Sequence, residues 1–138
     1  MSETVSPRKP WWRRWFGTRS ERAAERFLKR LGCRIIGRNL EYPGGELDLV
    51  ALDGACIVFV EVRSTESNDV ERPAVSVDAL KQKKLTQLAL RFLQEKKLLN
   101  HAARFDVLAL SWPAGQSEPR IVHYPNAFEA VGRFQMFS

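Results

Sequence analysis

The 138-residue chain carries 22 Lys and Arg against 16 Asp and Glu, a net charge of +6, with 44% hydrophobic and 28% charged residues. That length suits one domain with a modest core, and the composition excludes a disordered or fibrous chain. The charge is uneven: residues 1–38 hold 11 basic and 3 acidic side chains, whereas residues 39–138 hold 11 and 13. The basic N-terminal quarter therefore predicts a polyanion partner, either nucleic acid or a membrane surface.

No apolar run approaches the roughly 20 residues of a membrane helix. Arg13-Arg14 is followed by Trp15-Phe16-Gly17-Thr18-Arg19, which is no apolar signal core, so an export signal is rejected and a cytoplasmic location expected. Cys33 and Cys56 are too few for a disulfide framework, and with only His101 and His123 no clustered zinc spacing exists. Both cysteines read as buried thiols.

Residues 1–17, with Pro7, Pro10, three tryptophans and several arginines, lack periodicity and read as a flexible basic-aromatic arm. Residues 18–138 read as a single domain. Ala24, Phe27, Leu28 and Leu31 form an apolar stripe that predicts a helix over 18–31, stopped by Gly32. Cys33–Leu40 reads as a strand. After the Tyr42-Pro43-Gly44-Gly45 turn come two more strands, Glu46–Leu52 and Ala55–Arg63, joined by Asp53-Gly54. A polar loop over 64–73 precedes a helix from Val77 to about Leu98. Strands follow at Arg104–Leu110 and Arg120–His123, and Asn126 is positioned to cap a last helix through Phe134. The order α-β-β-β-α-β-β-α predicts an α/β layered domain with a mixed central sheet.

The central hairpin is the informative segment. With Asp53-Gly54 as a two-residue turn, Glu46 stands opposite Glu61 and Asp48 opposite Phe59. Asp48 and Glu61 become diagonal neighbours about 7–8 Å apart. That face is apolar near the turn, through Val50, Leu52, Ile57 and Phe59, and acidic only at its open end. The other face, with Leu47, Leu49, Ala51, Cys56, Val58, Val60 and Val62, is plain core. Three acids held together repel. Either one is protonated, or Arg63 on the same face compensates, or a cation sits among them. Carboxylate oxygens around a cavity suit Mg²⁺, whereas a surface Glu61–Arg63–Glu46 charge cluster is the plainer alternative.

Glu21 lies at the edge of the first helix's apolar stripe, although Thr18-Arg19-Ser20-Glu21 also has the form of a capping box. On the second helix Leu85, Leu88, Ala89 and Phe92 make the core stripe. Lys81 and Lys84 extend that face toward the N-terminus, where they either reach a phosphate or belong to a solvated basic run.

Ser20-Glu21 through Gly32, Asn39, Gly45-Glu46-Leu47-Asp48-Leu49-Val50-Ala51 and Val58-Phe59-Val60-Glu61-Val62-Arg63 strongly resemble the YraN family, also called UPF0102. The likeness continues through Lys81-Gln82-Lys83-Lys84-Leu85, Arg104-Phe105-Asp106-Val107 and Asn126-Ala127-Phe128, and covers about residues 19–130. It implies a restriction-endonuclease-like (PD-(D/E)XK) three-layer core, similar to Holliday-junction resolvases. By position it implies Glu21 as helical acid, Asp48 as central metal ligand, Glu61 as second ligand, and Mg²⁺, replaceable by Mn²⁺, as cofactor. Arg63 falls where the superfamily's catalytic Lys usually stands. An arginine stabilises phosphoryl charge but is a poor general base.

Two functions are carried forward. The first is a Mg²⁺-dependent nuclease acting on DNA, in preference to RNA, of branched or single-stranded form. In it Arg63, Lys81 and Lys84 clamp the phosphate, Glu21 completes the metal shell through water, and a homodimer is implied by the resolvases. The second is a catalytically idle nuclease fold that binds nucleic acid or a DNA-processing protein, with Arg13, Arg14 and Trp15 of the arm stacking on bases and gripping phosphates or docking a protein partner.

Overall fold

The computed structural model describes residues 19–65 and 77–130. Its elements are α1 (Arg19–Arg30), β1 (Arg34–Tyr42), β2 (Gly45–Asp53), β3 (Cys56–Thr65), α2 (Ala79–Glu95), β4 (Ala103–Ser111) and β5 (Arg120–Phe128). The five strands form one sheet in sequence order. β1, β2 and β3 pair antiparallel, β3 and β4 pair parallel through the α2 crossover, and β5 returns antiparallel. The expected arm over 1–17, with Arg13, Arg14 and Trp15, lies outside the described residues.

Each sheet face is covered by one helix, giving three layers. Ala23, Ala24 and Leu28 of α1 pack on Leu49, Ala51, Val58, Val60, Leu108 and Leu110. Leu85, Leu88, Ala89, Phe92 and Leu93 of α2 pack on Val50, Ile57, Phe59, Phe105 and Val107. The central strands are apolar on both faces because both faces are buried. α2 is shorter at each end than its apolar pattern suggests. Asp78 accepts the Lys81 amide at 2.9 Å, and Lys97 turns left-handed (φ 59°) while Leu98 N–H donates to Leu93 O at 2.8 Å.

The β2–β3 turn corrects the expected register. Asp53 pairs with Cys56 and Val50 with Phe59, so the turn is Gly54-Ala55, with Gly54 at φ 61° in its first central position. Asp53 stays in the strand, where its carboxylate accepts from Arg104 at 3.0 Å. The partner shift is two residues, so the alternation of β3 relative to β2 near the turn is preserved.

The predicted helix from Asn126 is also corrected over the residues described. β5 runs through Phe128, and Asn126 adopts φ 52° with its N–H donating to Asp106 Oδ1 at 2.9 Å. Asp106 is 1% exposed. It also accepts from Arg104 Nε at 3.0 Å and lies 2.8 Å from His123 Nε2. A buried carboxylate needs these partners, and the irregular register of β5 between Phe105 and Val107 delivers the Asn126 amide to it. Arg104 is held even more firmly protonated by the Asp106 hydrogen bonds.

α1 is tethered to β1 by Glu25, which accepts Arg38 Nε and Nη2 at 2.8 Å each and pairs with Lys29 at 3.0 Å. The Arg38 hydrogen bonds, with help from Lys29, pull the Glu25 carboxyl from 4.5 down to about 2.

Two stability measurements test this frame. Asp106→Ala leaves Arg104 only its exposed contact with Asp53, orphans the Asn126 amide, and should cost about 3 kcal/mol in urea unfolding. Because Glu25 has a lowered native pKa, its contribution is present above pH 4.5 and is lost as pH falls toward 2. Wild type and Glu25→Gln should therefore differ by about 1 kcal/mol at pH 6 and converge near pH 2.

Candidate functional site

Strand alternation places residues i and i+2 on one face, and β1 departs from it twice, at a bulge between Ile35 and Gly37 and at Asn39. Arg38 reaches Glu25 of α1, and Asn39 Nδ2 reaches Glu21 of α1 at 3.0 Å. Leu40 packs instead in the α2-side core. Two consecutive side chains therefore face α1, because Asn39 has a left-handed backbone (φ 47°), a conformation Asn tolerates better than most residues.

The break crosses the ladder. Arg38 pairs with Leu49 and Leu40 with Leu47. Leu49 accordingly packs under α1 while Leu47 joins Val50 under α2. Glu46 and Asp48 are thereby turned toward α1, away from the Val50 face on which simple alternation puts them. Leu47 likewise leaves the face expected for it.

The result is a carboxylate trio. Ligand oxygens of Glu21, Glu46 and Asp48 all lie within 4.8 Å of one another. Glu21 is 8% exposed, and the other two are half-buried. Asn39 Nδ2 bridges two of them, at 3.0 Å from Glu21 Oε1 and 3.4 Å from Glu46 Oε2.

Asp48 occupies the point where β2 and β3 separate. Their register pairs run from the turn to Leu49–Val60. Beyond that, the Val62 amide donates to Asp48 Oδ2 at 2.9 Å, so a carboxylate takes the place of a strand carbonyl.

Glu61 lies outside the trio but close by. It borders the same cleft as Asp48, together with Leu47, Phe59, Leu85 and Phe105. Its Oε2 is 3.4 Å from Lys81 Nζ of α2. Arg63 is half-buried two residues further along β3, on the Glu61 side by alternation. Lys84 is exposed, and its stem lies over the start of β2. A Cβ on Gly45 would meet Lys84 Cδ at 3.5 Å and Leu88 Cδ1 at 3.0 Å. This close approach, together with a backbone at φ 157°, favours glycine beside Glu46.

The N-terminus of α1, which carries Glu21, is pinned from below. Trp112 Nε1 donates to Ser20 Oγ at 2.7 Å, Ser20 Oγ donates to Ser64 Oγ at 2.7 Å, and the Arg19 guanidinium lies 3.8 Å over the Trp112 ring. These four side chains hold the first turn of α1, and with it Glu21, against the ends of β3 and β4.

Of the residues expected to act, Glu21 and Asp48 are brought together, Glu61 and Lys81 form a pair beside them, Arg63 follows two residues on in β3, and Lys84 lies over the start of β2. Glu46, expected among the three hairpin acids but not singled out as a ligand, joins the site, and so does Asn39, which had no expected role. Glu46 was visible as the acid two residues before Asp48, whereas no local signal assigns Asn39 a left-handed backbone.

These features define a three-layer α/β protein with three carboxylates clustered at the fork of its central hairpin. A model of the Uncharacterised protein family UPF0102 matches residues 20–110. The chain is 44% identical over 119 residues to a UPF0102 protein of Rhodopirellula baltica, covering 84% of this chain and 71% of that one. It is 41% identical to a UPF0102 protein of Geobacter metallireducens (82% and 91% covered) and 42% identical to one of Geobacter sulfurreducens (82% and 88% covered). The chain belongs to the UPF0102 family, which is YraN-like.

The two contributions of Asn39 are separable. Asn39→Gly keeps the left-handed backbone accessible but removes the bridging amide, whereas Asn39→Val opposes both. Urea unfolding should show Asn39→Val less stable than Asn39→Gly by about 2 kcal/mol; equal stabilities would contradict the role given to the backbone.

Proposed function

We propose that the protein is a Mg²⁺-dependent nuclease that hydrolyses phosphodiester bonds of DNA, branched or single-stranded, on a restriction-endonuclease-like core. The carboxylates of Glu21, Glu46 and Asp48 within 4.8 Å of one another are the observation that carries this reading. Such a set of oxygen donors suits Mg²⁺ or Mn²⁺ and not a thiolate-seeking ion. Asp48, Glu21 and Glu46 would hold the ion, with Glu61 across the cleft as a further ligand. Bound there, Mg²⁺ supplies Lewis acidity toward a phosphoryl oxygen.

The chain's own residues account for the rest. The Val62 amide keeps Asp48 directed into the fork. Asn39 steadies Glu21 and Glu46. Arg63 offers a planar fork of donors for a phosphate, but remains protonated and serves charge stabilisation instead of proton abstraction. Lys81, already 3.4 Å from Glu61, and Lys84 supply further cationic contacts on the opposite wall.

One observation favours a second reading, an idle nuclease fold that binds nucleic acid. Glu61 is engaged by Lys81 and stands outside the trio. Labelled duplex, single-stranded, flap and four-way DNA incubated with Mg²⁺ or Mn²⁺ separates the two. Cleavage of at least one substrate, lost in Asp48→Ala, is expected. Equal cleavage by Asp48→Ala would remove the assignment, while DNA binding without Mn²⁺ uptake in calorimetry would establish the idle module.

A further inference from the structure

The outward face of α1 is charged in a way that the fold does not require. Its buried face is Ser20, Glu21, Ala23, Ala24 and Leu28, and Arg19, Arg22, Arg26, Lys29 and Arg30 are all exposed. Arg22, Arg26 and Arg30 follow one another at intervals of four, so they stand in one row along the helix, about 6 Å apart.

Like charges one turn apart repel and weaken a helix, and Arg19 and Arg22 also oppose the positive end of its dipole. The helix's outer acid, Glu25, is already taken by Arg38 and Lys29. No described acidic side chain pairs with Arg26 or Arg30. Arg30 suits the negative end of the dipole, but Arg26 and Arg30 meet no acid on the described protein surface and are open to an external anion.

We propose that the Arg22–Arg26–Arg30 row is the track along which a nucleic-acid strand's phosphates run to and from the carboxylate trio. This rests on the nucleic-acid-cleaving reading of that site and adds the path by which its substrate lies. The row begins one residue from Glu21 and extends about 12 Å along the helix axis. A single anion would need one or two of these cations; a linear row matches the continuous charge of a polynucleotide. A membrane surface is the poorer partner. A helix lying on lipid inserts apolar side chains, and those of α1 are turned into the sheet, with only Leu31 beyond its end exposed among large apolar residues nearby.

The test compares the full chain with two variants that remove equal charge: Arg26→Gln/Arg30→Gln on the track, and Lys96→Gln/Lys97→Gln at the exposed far end of α2. Fluorescence anisotropy with labelled single-stranded and duplex DNA, in EDTA from 50 to 200 mM salt, reads affinity and its salt slope. The track variant should lower the duplex slope by about 2, with about 0.9 lost per phosphate contact. It should weaken binding about tenfold or more at 50 mM. The α2 variant should match wild type, and circular dichroism should show the track variant at least as thermally stable as wild type.

Equal slopes for the track variant and wild type would overturn the track while leaving DNA cleavage by wild type, and so the nuclease reading, intact. Wild type that binds no DNA but binds anionic phosphatidylserine vesicles, with that binding lost in the track variant, would overturn both.

Discussion

The left-handed backbone of Asn39 is the constraint on which the site depends. A strand that kept regular alternation through this point would leave Asn39 and Arg38 on opposite faces and, across the ladder, would send Asp48 under α2 with Val50. Glu21, on the other side of the sheet, would then have no carboxylates to meet. One residue at φ 47° instead turns a pair of neighbours toward α1 on each of two strands. Such a conformation costs on the order of 1–3 kcal/mol. The Asn39 amide offsets part of that cost through its contacts with Glu21 and Glu46. The same side chain that suits the unusual backbone also steadies the acids that the backbone brings together.

Around this irregular point the molecule is heavily braced. β2, β3 and β4 are buried on both faces, and the apolar end of the hairpin lies between two helices. Asp106, buried and satisfied by Arg104, His123 and the Asn126 amide, locks β5 to β4. The Trp112–Ser20–Ser64 chain anchors the first turn of α1. A cluster of acids is repulsive until something compensates it, and groups that must hold a fixed geometry need rigid support from behind. Here the supports are hydrogen bonds to backbone and side chains on β3, β4 and β5 and just beyond β4.

Much of this was legible from residue order. The helix over 18–31, the strand triplet, the long second helix and a mixed sheet follow from hydrophobic period and turn residues, and the observed boundaries of these elements lie within a few residues. That Asp48, Glu61 and Lys81 come near one another was also readable from acids and lysines at the ends of apolar runs. The turn register was not, because Asp53-Gly54 and Gly54-Ala55 are both acceptable turns locally. In the observed register Asp53 is in the strand, where its carboxylate meets Arg104, about 50 residues away, a contact no local pattern records. The last segment misled for the same kind of reason. Asn126 is a good helix cap in isolation, but its amide is claimed by Asp106.

The amino-acid sequence by itself determined the layers, because periods of 2 and 3.6 set which side chains must be buried. It also determined that acids gather at the open end of the central hairpin, since their spacing along two paired strands leaves them no other place. Only the tertiary structure decided which acids meet. Glu46 joins Glu21 and Asp48 while Glu61 turns to Lys81, because a single left-handed residue on a neighbouring strand reverses the faces of β2, and no pattern within β2 records it.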